Sequence, residues 1–332
     1  MAAIHFLNVC DGDCCVIQHD SGRTSVIDVC NARPADFIRE AVTKVLAETE
    51  KGVLGNFNQK QYPVNPISYL KTLGITDIHR FVLTHPDMDH MDGIKEFMSE
   101  FRPANFWDTD NQETKEFGLG ADGGYREEDW SFYTQLRDGK PSSNPKRLAL
   151  YAGQSGMFWD RDENGEGGDG IQILAPTSAL VAGANECGDY NDCSYVLLFQ
   201  TSGYRILFAG DSHDATWEHI LANNPNDVTN VDVLVAPHHG RTSGRSFDFL
   251  DIVNPTLTLF GNADSEHLAY GAWNSRGLTK LTNNQAGSVL LEAGNKLMAV
   301  YITCKAFAER SNQHSFEHPG RSGFHYWGVI AR

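Results

Sequence analysis

His85-Pro86-Asp87-Met88-Asp89-His90 follows the apolar run Phe81-Val82-Leu83-Thr84 and is closed by Met91-Asp92-Gly93. The run reads as a buried strand, and Gly93 opens a helix that Pro103 stops. Two imidazoles and two carboxylates therefore converge where a strand ends. A strand end is fixed by its sheet while the loop beyond stays accessible, so it can aim ligands at one point. Imidazole nitrogen with carboxylate oxygen suits zinc, manganese or iron, and no nearby cysteine offers a thiolate.

Three more strand ends carry such residues. Upstream, 4–9, 14–18 and 24–29 read as short strands separated by Asp11-Gly12-Asp13 and Asp20-Ser21-Gly22-Arg23, and the third carries Asp28. Residues 36–50 and 66–73 have helical composition and spacing. Downstream, strands are expected at 171–176, 194–200, 204–209 and 231–237, with a helix over 215–222. Strand 204–209 runs into Gly210-Asp211, and strand 231–237 into His238-His239-Gly240. A last β-α-β unit is read over 247–277, and 288–303 as a closing hairpin. An Asp after a strand is ordinarily a turn or a cap, and a His pair before Gly an ordinary loop. Four such coincidences at successive strand ends favour a metal site.

The 103–170 stretch differs in character, with frequent Gly, Asp and Asn and interleaved aromatics such as Trp107, Trp130 and Trp159. It reads as an insertion with one short helix near 129–137, either a surface elaboration or a lid over the site. Residues 305–332, with His314, His318 and His325, form a C-terminal extension without a clear pattern. The whole, 1–332, is read as one α/β domain in which two sheets lie between helices, a four-layer αββα sandwich.

Composition bounds the function. The chain has 332 residues, 41% hydrophobic and 21% charged, enough for a large core. No apolar run approaches the roughly 20 residues that cross a bilayer, and the N-terminus lacks a signal peptide's features. Seven cysteines without a Cys-x-x-Cys pair read as free thiols. The expectation is a cytoplasmic protein with no membrane partner. A net charge of −16 disfavours a long electropositive groove for extended nucleic acid. No phosphate-binding Gly-rich loop and no Gly-x-Ser-x-Gly elbow occurs, so an NTPase or serine hydrolase is not indicated.

The spacing His85-x-Asp87-x-Asp89-His90 resembles the His-x-His-x-Asp-His motif of the metallo-β-lactamase superfamily. It is most similar to the hydrolase domain of ComEC-type DNA-uptake (competence) proteins. His5-Phe6-Leu7-Asn8-Val9-Cys10-Asp11-Gly12-Asp13, Val26-Ile27-Asp28, Asn191-Asp192-Cys193-Ser194, Phe208-Ala209-Gly210-Asp211 and Ala236-Pro237-His238-His239-Gly240 carry the resemblance in order.

The resemblance implies an αββα hydrolase holding one or two divalent ions, zinc or manganese. Asp89, His90 and Asp211, with His238 or His239, would hold the first ion; His239 is favoured, which leaves His238 near the substrate oxygen. His85, Asp87 and the shared Asp211 would hold the second. Asp28 would orient ligands from behind, as would Asn191. His267 would contact substrate at the mouth. Such an ion lowers the pKa of water toward about 7, and two ions roughly 4 Å apart clamp the reacting oxygen. Asp87 or Asp89 would then relay a proton. Two departures weaken the second ion: Asp87 replaces a histidine, and only Asp189, Asn191 and Asp192 stand where another ligand is often found. An oxygen-rich set shifts preference toward manganese.

The resemblance thus implies hydrolysis of a phosphodiester, with a small or single-stranded substrate favoured by the acidity. Hydrolysis of another ester, an amide or a cyclic nucleotide is the alternative enzyme reading. A regulatory or binding protein retaining the fold in a larger assembly is the non-enzymatic one, and a protein partner or second copy is left open.

Overall fold

Side chains alternate across a strand, so a strand that is apolar at both parities must be covered on both faces. Ile206 and Phe208 enter one core while Leu207 between them enters another, and Val233, Val235 and Leu234 divide in the same way. Cys15 and Ile17 oppose Cys14 and Val16 likewise. Two sheets packed face to face, each with helices on its outer side, satisfy this pattern. In the computed structural model the described residues are 1–332 except 35, 54, 119–123, 140–144, 166, 265 and 332.

The strands in chain order are β1 (Ala3–Phe6), β2 (Cys15–Gln18), β3 (Thr24–Ile27), β4 (Arg80–Val82), β5 (Asn105–Trp107) and β6 (Lys146–Leu148). Then come β7 (Ile171–Ala175), β8 (Val196–Thr201), β9 (Tyr204–Phe208), β10 (Val233–Val235), β11 (Leu257–Phe260) and β12 (Lys280–Thr282). The last are β13 (Val289–Ala293), β14 (Leu297–Ile302) and β15 (His325–Ala331). One sheet has the order β15-β14-β13-β1-β2-β3-β4-β5-β6, the other β12-β11-β10-β9-β8-β7. From β3 to β6, and from β9 to β12, neighbours are parallel. Parallel pairing puts their C-terminal ends on one edge of each sheet, where ligands gather in open α/β sheets.

The helices are α1 (Phe37–Thr49), α2 (Pro66–Thr72), α3 (Ile94–Phe101), α4 (Glu127–Asp138), α5 (Ser178–Cys187), α6 (Asp214–Asn223), α7 (Pro225–Val228), α8 (Leu250–Val253), α9 (Tyr270–Asn274), α10 (Asn283–Ala286) and α11 (Lys305–Ser311). Ile94, Phe97, Met98 and Phe101 form the buried stripe of α3 and pack with Ile67, Leu70, Trp130 and Tyr133 outside the first sheet. Trp217, Ile220, Leu250, Val253 and Trp273 cover the second. Each such fully buried large side chain contributes roughly 1.5–3 kcal/mol. The layer order is αββα, as expected.

Several boundaries differ from the sequence reading. The 103–170 stretch is woven into the first sheet rather than set beside it: Phe106 pairs with Phe81 across β4–β5, and β6 extends the sheet further. Three-residue strands fall below the length at which periodicity registers. Its end is also fastened, because the buried Arg80 donates to Asp169 at 2.7 Å. The helix near 129–137 is present as α4, while α5 and β12 were not anticipated. Residues 305–332 supply α11 and the edge strand β15, antiparallel to β14. Within them His318 Nε2 lies 2.9 Å from Glu292, and no metal-binding group includes a tail histidine among the described residues. Among the described residues no helix is long and apolar enough to cross a membrane. All seven cysteines are free.

Candidate metal centre

The facing edges of the two sheets bring the four predicted strand ends together. β3 delivers Asp28 in a left-handed conformation (φ 56°), its N–H donating to Val82 O. β4 delivers Thr84 and His85, and a single tight turn over Met88–His90 folds Asp89 and His90 back beside them. Asp211 follows β9 through Gly210 at φ 50°, where a Cβ would stand 2.9 Å from that of Ser194. After β10, His238 and His239 are both left-handed, at φ 50° and 57°. Two consecutive non-glycine residues in that region cost roughly 1–3 kcal/mol each, strain of the kind that collects at functional sites.

The side chains meet tightly. The His85 and His90 ring centres are 4.2 Å apart, and those of His90 and His239 5.0 Å. Asp211 Oδ1 lies 3.2 Å from His90 Nε2, and its Oδ2 lies 3.8 Å from Nε2 of both His85 and His239. His239 Nε2 is 3.3 Å from Asp89 Oδ2. Two sets gather ligand atoms within 4.8 Å: His85, His90 and Asp211, and Asp89, His90 and His239. His85 Nε2, His90 Nε2, His239 Nε2 and Asp211 Oδ1 are buried without any hydrogen-bond partner. Buried polar atoms are ordinarily paired, so four orphans facing one another fit a cation as their common partner.

Groups behind the rings fix their orientation. Asp28 Oδ2 is 2.8 Å from His90 Nδ1, which places the ring hydrogen there and leaves Nε2 a lone pair. Asp13 Oδ1 stands 3.1 Å from His239 Nδ1, close enough for its charge to favour a ring hydrogen on that side although no hydrogen bond is formed. Thr84 Oγ1 donates to Asp28 Oδ2 at 2.7 Å, which leaves it to accept from His85 Nδ1 at 3.1 Å. All three imidazoles thus turn Nε2 toward the centre, an arrangement typical of metal-bound histidines.

The electrostatics fit the same occupant. Burial works against a charged His239, but Asp13, Asp211 and Asp89 outweigh it and hold its pKa up, at about 10. Burial likewise opposes charge on His90, while Asp211, Asp28 and Asp89 raise it well above 6.5. Asp211 is held well below the usual carboxylate range against burial by His90, His239 and His85. These directions correspond to protonated His90 and His239 facing ionised carboxylates when no ion is bound.

The two neighbouring histidines separate cleanly. His239 is fully buried with Nε2 in the cluster. His238 Nε2 lies 3.6 Å from Asp211, while its Nδ1 receives a hydrogen bond from Arg245 Nη2 at 2.8 Å. Burial, which comes first, and the charges of His239 and Arg245 depress His238 to about 4 despite Asp211. Asp87 lies 3.5 Å from His85 and 3.0 Å from Lys115. Asn191 does not join the cluster by any hydrogen bond: its Nδ2 donates to Asp189, and its Oδ1 is buried and unpaired. His267 is exposed, belongs to neither set of gathered ligand atoms, and lines a surface cavity of about 390 Å³ with Asp11, Arg241, Thr242, Ser243 and Asp264. A loop residue's aim is set by packing that the sequence does not display.

Asp13, Thr84, Lys115 and Arg245 were not anticipated as site residues. Asp13 had a signal in Gly12-Asp13, since a Cβ on Gly12 would stand 1.7 Å from Asp89 O, so only glycine lets this turn reach the site.

No protein-family profile and no curated protein matches this chain. Among solved structures, a diphosphatase of the PhnP family aligns over 89% of this chain and 98% of its own, at TM-score 0.42 and 12% identity. Zn²⁺-bound PqqB from Methylobacterium extorquens aligns over 88% and 100%, at 0.42 and 10%. Unliganded yeast PDE1 aligns over 85% and 98%, at 0.41 and 10%. Likenesses this distant leave ligands and substrate to this chain's own residues.

Proposed function

We propose that the protein is a metal-dependent hydrolase that cleaves phosphodiester bonds in a small or single-stranded substrate. The observation that carries this is the set of buried, unpaired Nε2 atoms of His85, His90 and His239 around Asp211, each ring held from behind. Asp89, His90, His239 and Asp211 would hold a divalent ion, zinc or manganese. Bound there, it supplies Lewis acidity and brings the ionisation of water toward neutral pH.

The chain's own residues do the rest. Asp13, Asp28 and Thr84 hold the rings so that no reorganisation is needed. Asp89 is turned to His239 and serves as a ligand, and Asp87 is shared by His85 and Lys115. His238, expected near the substrate oxygen, has its ring hydrogen placed by a partner. Arg245 cannot accept, so His238 Nδ1 must, and the ring hydrogen sits on Nε2. That N–H faces the site and donates a hydrogen bond to the charge developing on the departing oxygen. Lys115 near Asp87 and Arg241 on the rim cavity supply positive charge for a phosphoryl group, with His267 at the edge. The net charge of −16 favours a substrate with few phosphates.

The test is turnover of bis-aryl phosphate, single- and double-stranded DNA, RNA and a chromogenic lactam by metal-loaded protein, with His90→Ala and Asp211→Ala as controls. Phosphodiester cleavage lost in both variants is expected. Cleavage untouched by either would overturn the site, and turnover of the lactam alone would overturn the substrate class.

A further inference from the structure

Lys115 lies on the loop between β5 and α4, and its ammonium is held from three sides. Nζ is 3.0 Å from Asp87 Oδ1, 3.5 Å from Glu113 Oε1 and 5.5 Å from the centre of the Trp130 ring. The loop beneath it is fixed in turn. Asn111 Nδ2 donates to Tyr133 Oη at 2.6 Å, Arg137 Nη1 to Glu113 O at 2.8 Å, and Gln112 N to Asn185 Oδ1 at 2.7 Å. This is a lysine placed by its surroundings, less than a quarter exposed, with a side-chain exposure of 23%.

The other oxygen of Asp87 faces His85 Nε2 at 3.5 Å. A second ion would have to sit there, among His85, Asp87 and Asp211. Asp87 belongs to neither set of ligand atoms that gathers within 4.8 Å, because its carboxylate is divided between an imidazole and an ammonium. Asn191 brings no nitrogen lone pair to the place, and its Nδ2 is given to Asp189. A divalent ion at this position would lie one carboxylate away from a fixed positive charge. Like charges at such separation repel strongly in a partly buried site, and of the three protein ligands there Asp211 is shared with the other ion and Asp87 with the ammonium.

We propose that Lys115 takes the place of a second divalent ion. The centre binds one ion, within the cluster of His85, Asp89, His90, Asp211 and His239, and the Lys115 ammonium supplies the second positive charge beside Asp87, available to an anionic oxygen of the substrate. This rests on the reading of the site as a metal centre. It also gives the 103–170 segment a part in the chemistry, since that segment carries the lysine together with Glu113 and Trp130 beside it.

The test is metal stoichiometry rather than turnover. Chelator-stripped protein is titrated with Mn²⁺, and bound ions are counted by elemental analysis and read by electron paramagnetic resonance. The wild type is expected to hold one ion per chain with the spectrum of an isolated Mn²⁺. Lys115→Met, similar in length but uncharged, is expected to gain a second ion, its affinity there tightened on the order of a hundredfold, with a spin-coupled signal. Lys115→Arg, which keeps the charge, should stay at one. Lys115→Gln gives the same reading should the Met variant fold poorly by circular dichroism. Two tightly bound ions in the wild type, or a single ion in both uncharged variants, would overturn the proposal. No ion in the wild type would overturn the metal-centre reading itself, and this inference with it.

Discussion

Asp28 Oδ2 lies 2.8 Å from His90 Nδ1, and the same carboxylate accepts from both the N–H and the hydroxyl of Thr84 at 2.7 Å. One buried carboxylate therefore fixes the ring that both ligand sets share. Asp28 also holds a left-handed backbone conformation that Asn tolerates nearly as well. Asp28→Asn should thus leave the fold intact while removing the charge that settles the His90 ring. Metal affinity, measured by competition with a chelator, is expected to fall by roughly 10- to 100-fold, as for other residues behind metal ligands. An unchanged affinity would show that His90 is oriented without Asp28.

His238 and His239 adjoin in sequence but should part in their phenotypes. His239→Ala removes a buried ring from the ligand cluster, so bound metal, counted by elemental analysis, is expected to be lost along with activity. His238→Ala should keep its metal and lose turnover, because that ring faces Asp211 with a hydrogen that Arg245 places. Arg245→Met should resemble a milder His238→Ala, retaining metal while kcat falls. Loss of metal from His238→Ala would reverse the assignment of the two rings.

These roles differ in how far the sequence displays them. Asp28, His85, Asp211 and His239 lie at or within a few residues of the end of an apolar run, and Asp89 and His90 in the short loop after one, so the strand that must be buried also announces where its polar end will point. The four layers were legible for the same reason, since Ile206, Leu207 and Phe208 cannot all be covered by a single layer. Lys115 and Arg245 reach the site from loops, and their aim depends on contacts such as Asn111 with Tyr133 that no local pattern records. The strands β5, β6 and β12 are three residues long and, unlike the equally short β4 and β10, are not embedded in a longer apolar run that would mark them. Helix α5 was missed because it buries only Val181 and Ala184, which leaves no apolar stripe to read.

Proton balance offers a third test. His90 and His239 are raised on folding, His239 to about 10 from 6.5. A group raised on folding stabilises fully below its unfolded pKa and loses that contribution as pH climbs through the folded value. Without an ion, the melting temperature is therefore expected to decline between about pH 6.5 and about 10. Asp89, lowered to about 2 by His90 and His239 against burial, acts oppositely: its contribution is present above about 4 and lost as pH falls through about 2. An ion that replaces the ring protons should be bound with proton release at pH 7. Calorimetric titration in buffers of different ionisation enthalpy measures that release. A binding heat independent of buffer would contradict the protonated rings.

Arg80 opens the strand that ends in the metal loop, and its guanidinium is 1% exposed. Its Nη2 lies 2.7 Å from Asp169 Oδ2, Nη1 donates to Ser25 Oγ at 2.8 Å, and Arg23 Nη2 reaches the other Asp169 oxygen at 2.9 Å. Asp169→Asn keeps the shape but leaves a buried positive charge without its counter-ion, which should cost about 3–5 kcal/mol in urea unfolding. Replacing the pair together, Arg80→Met with Asp169→Leu, removes both charges from the interior and should cost less, since the desolvation of each disappears with it and only the part-exposed Arg23 loses its partner. Bound metal should not change in either protein, because Arg80 lies at the start of β4 and His85 beyond its end. A double variant as unstable as Asp169→Asn would mean that the geometry of the pair, rather than its charge balance, fastens Asp169 to the sheet.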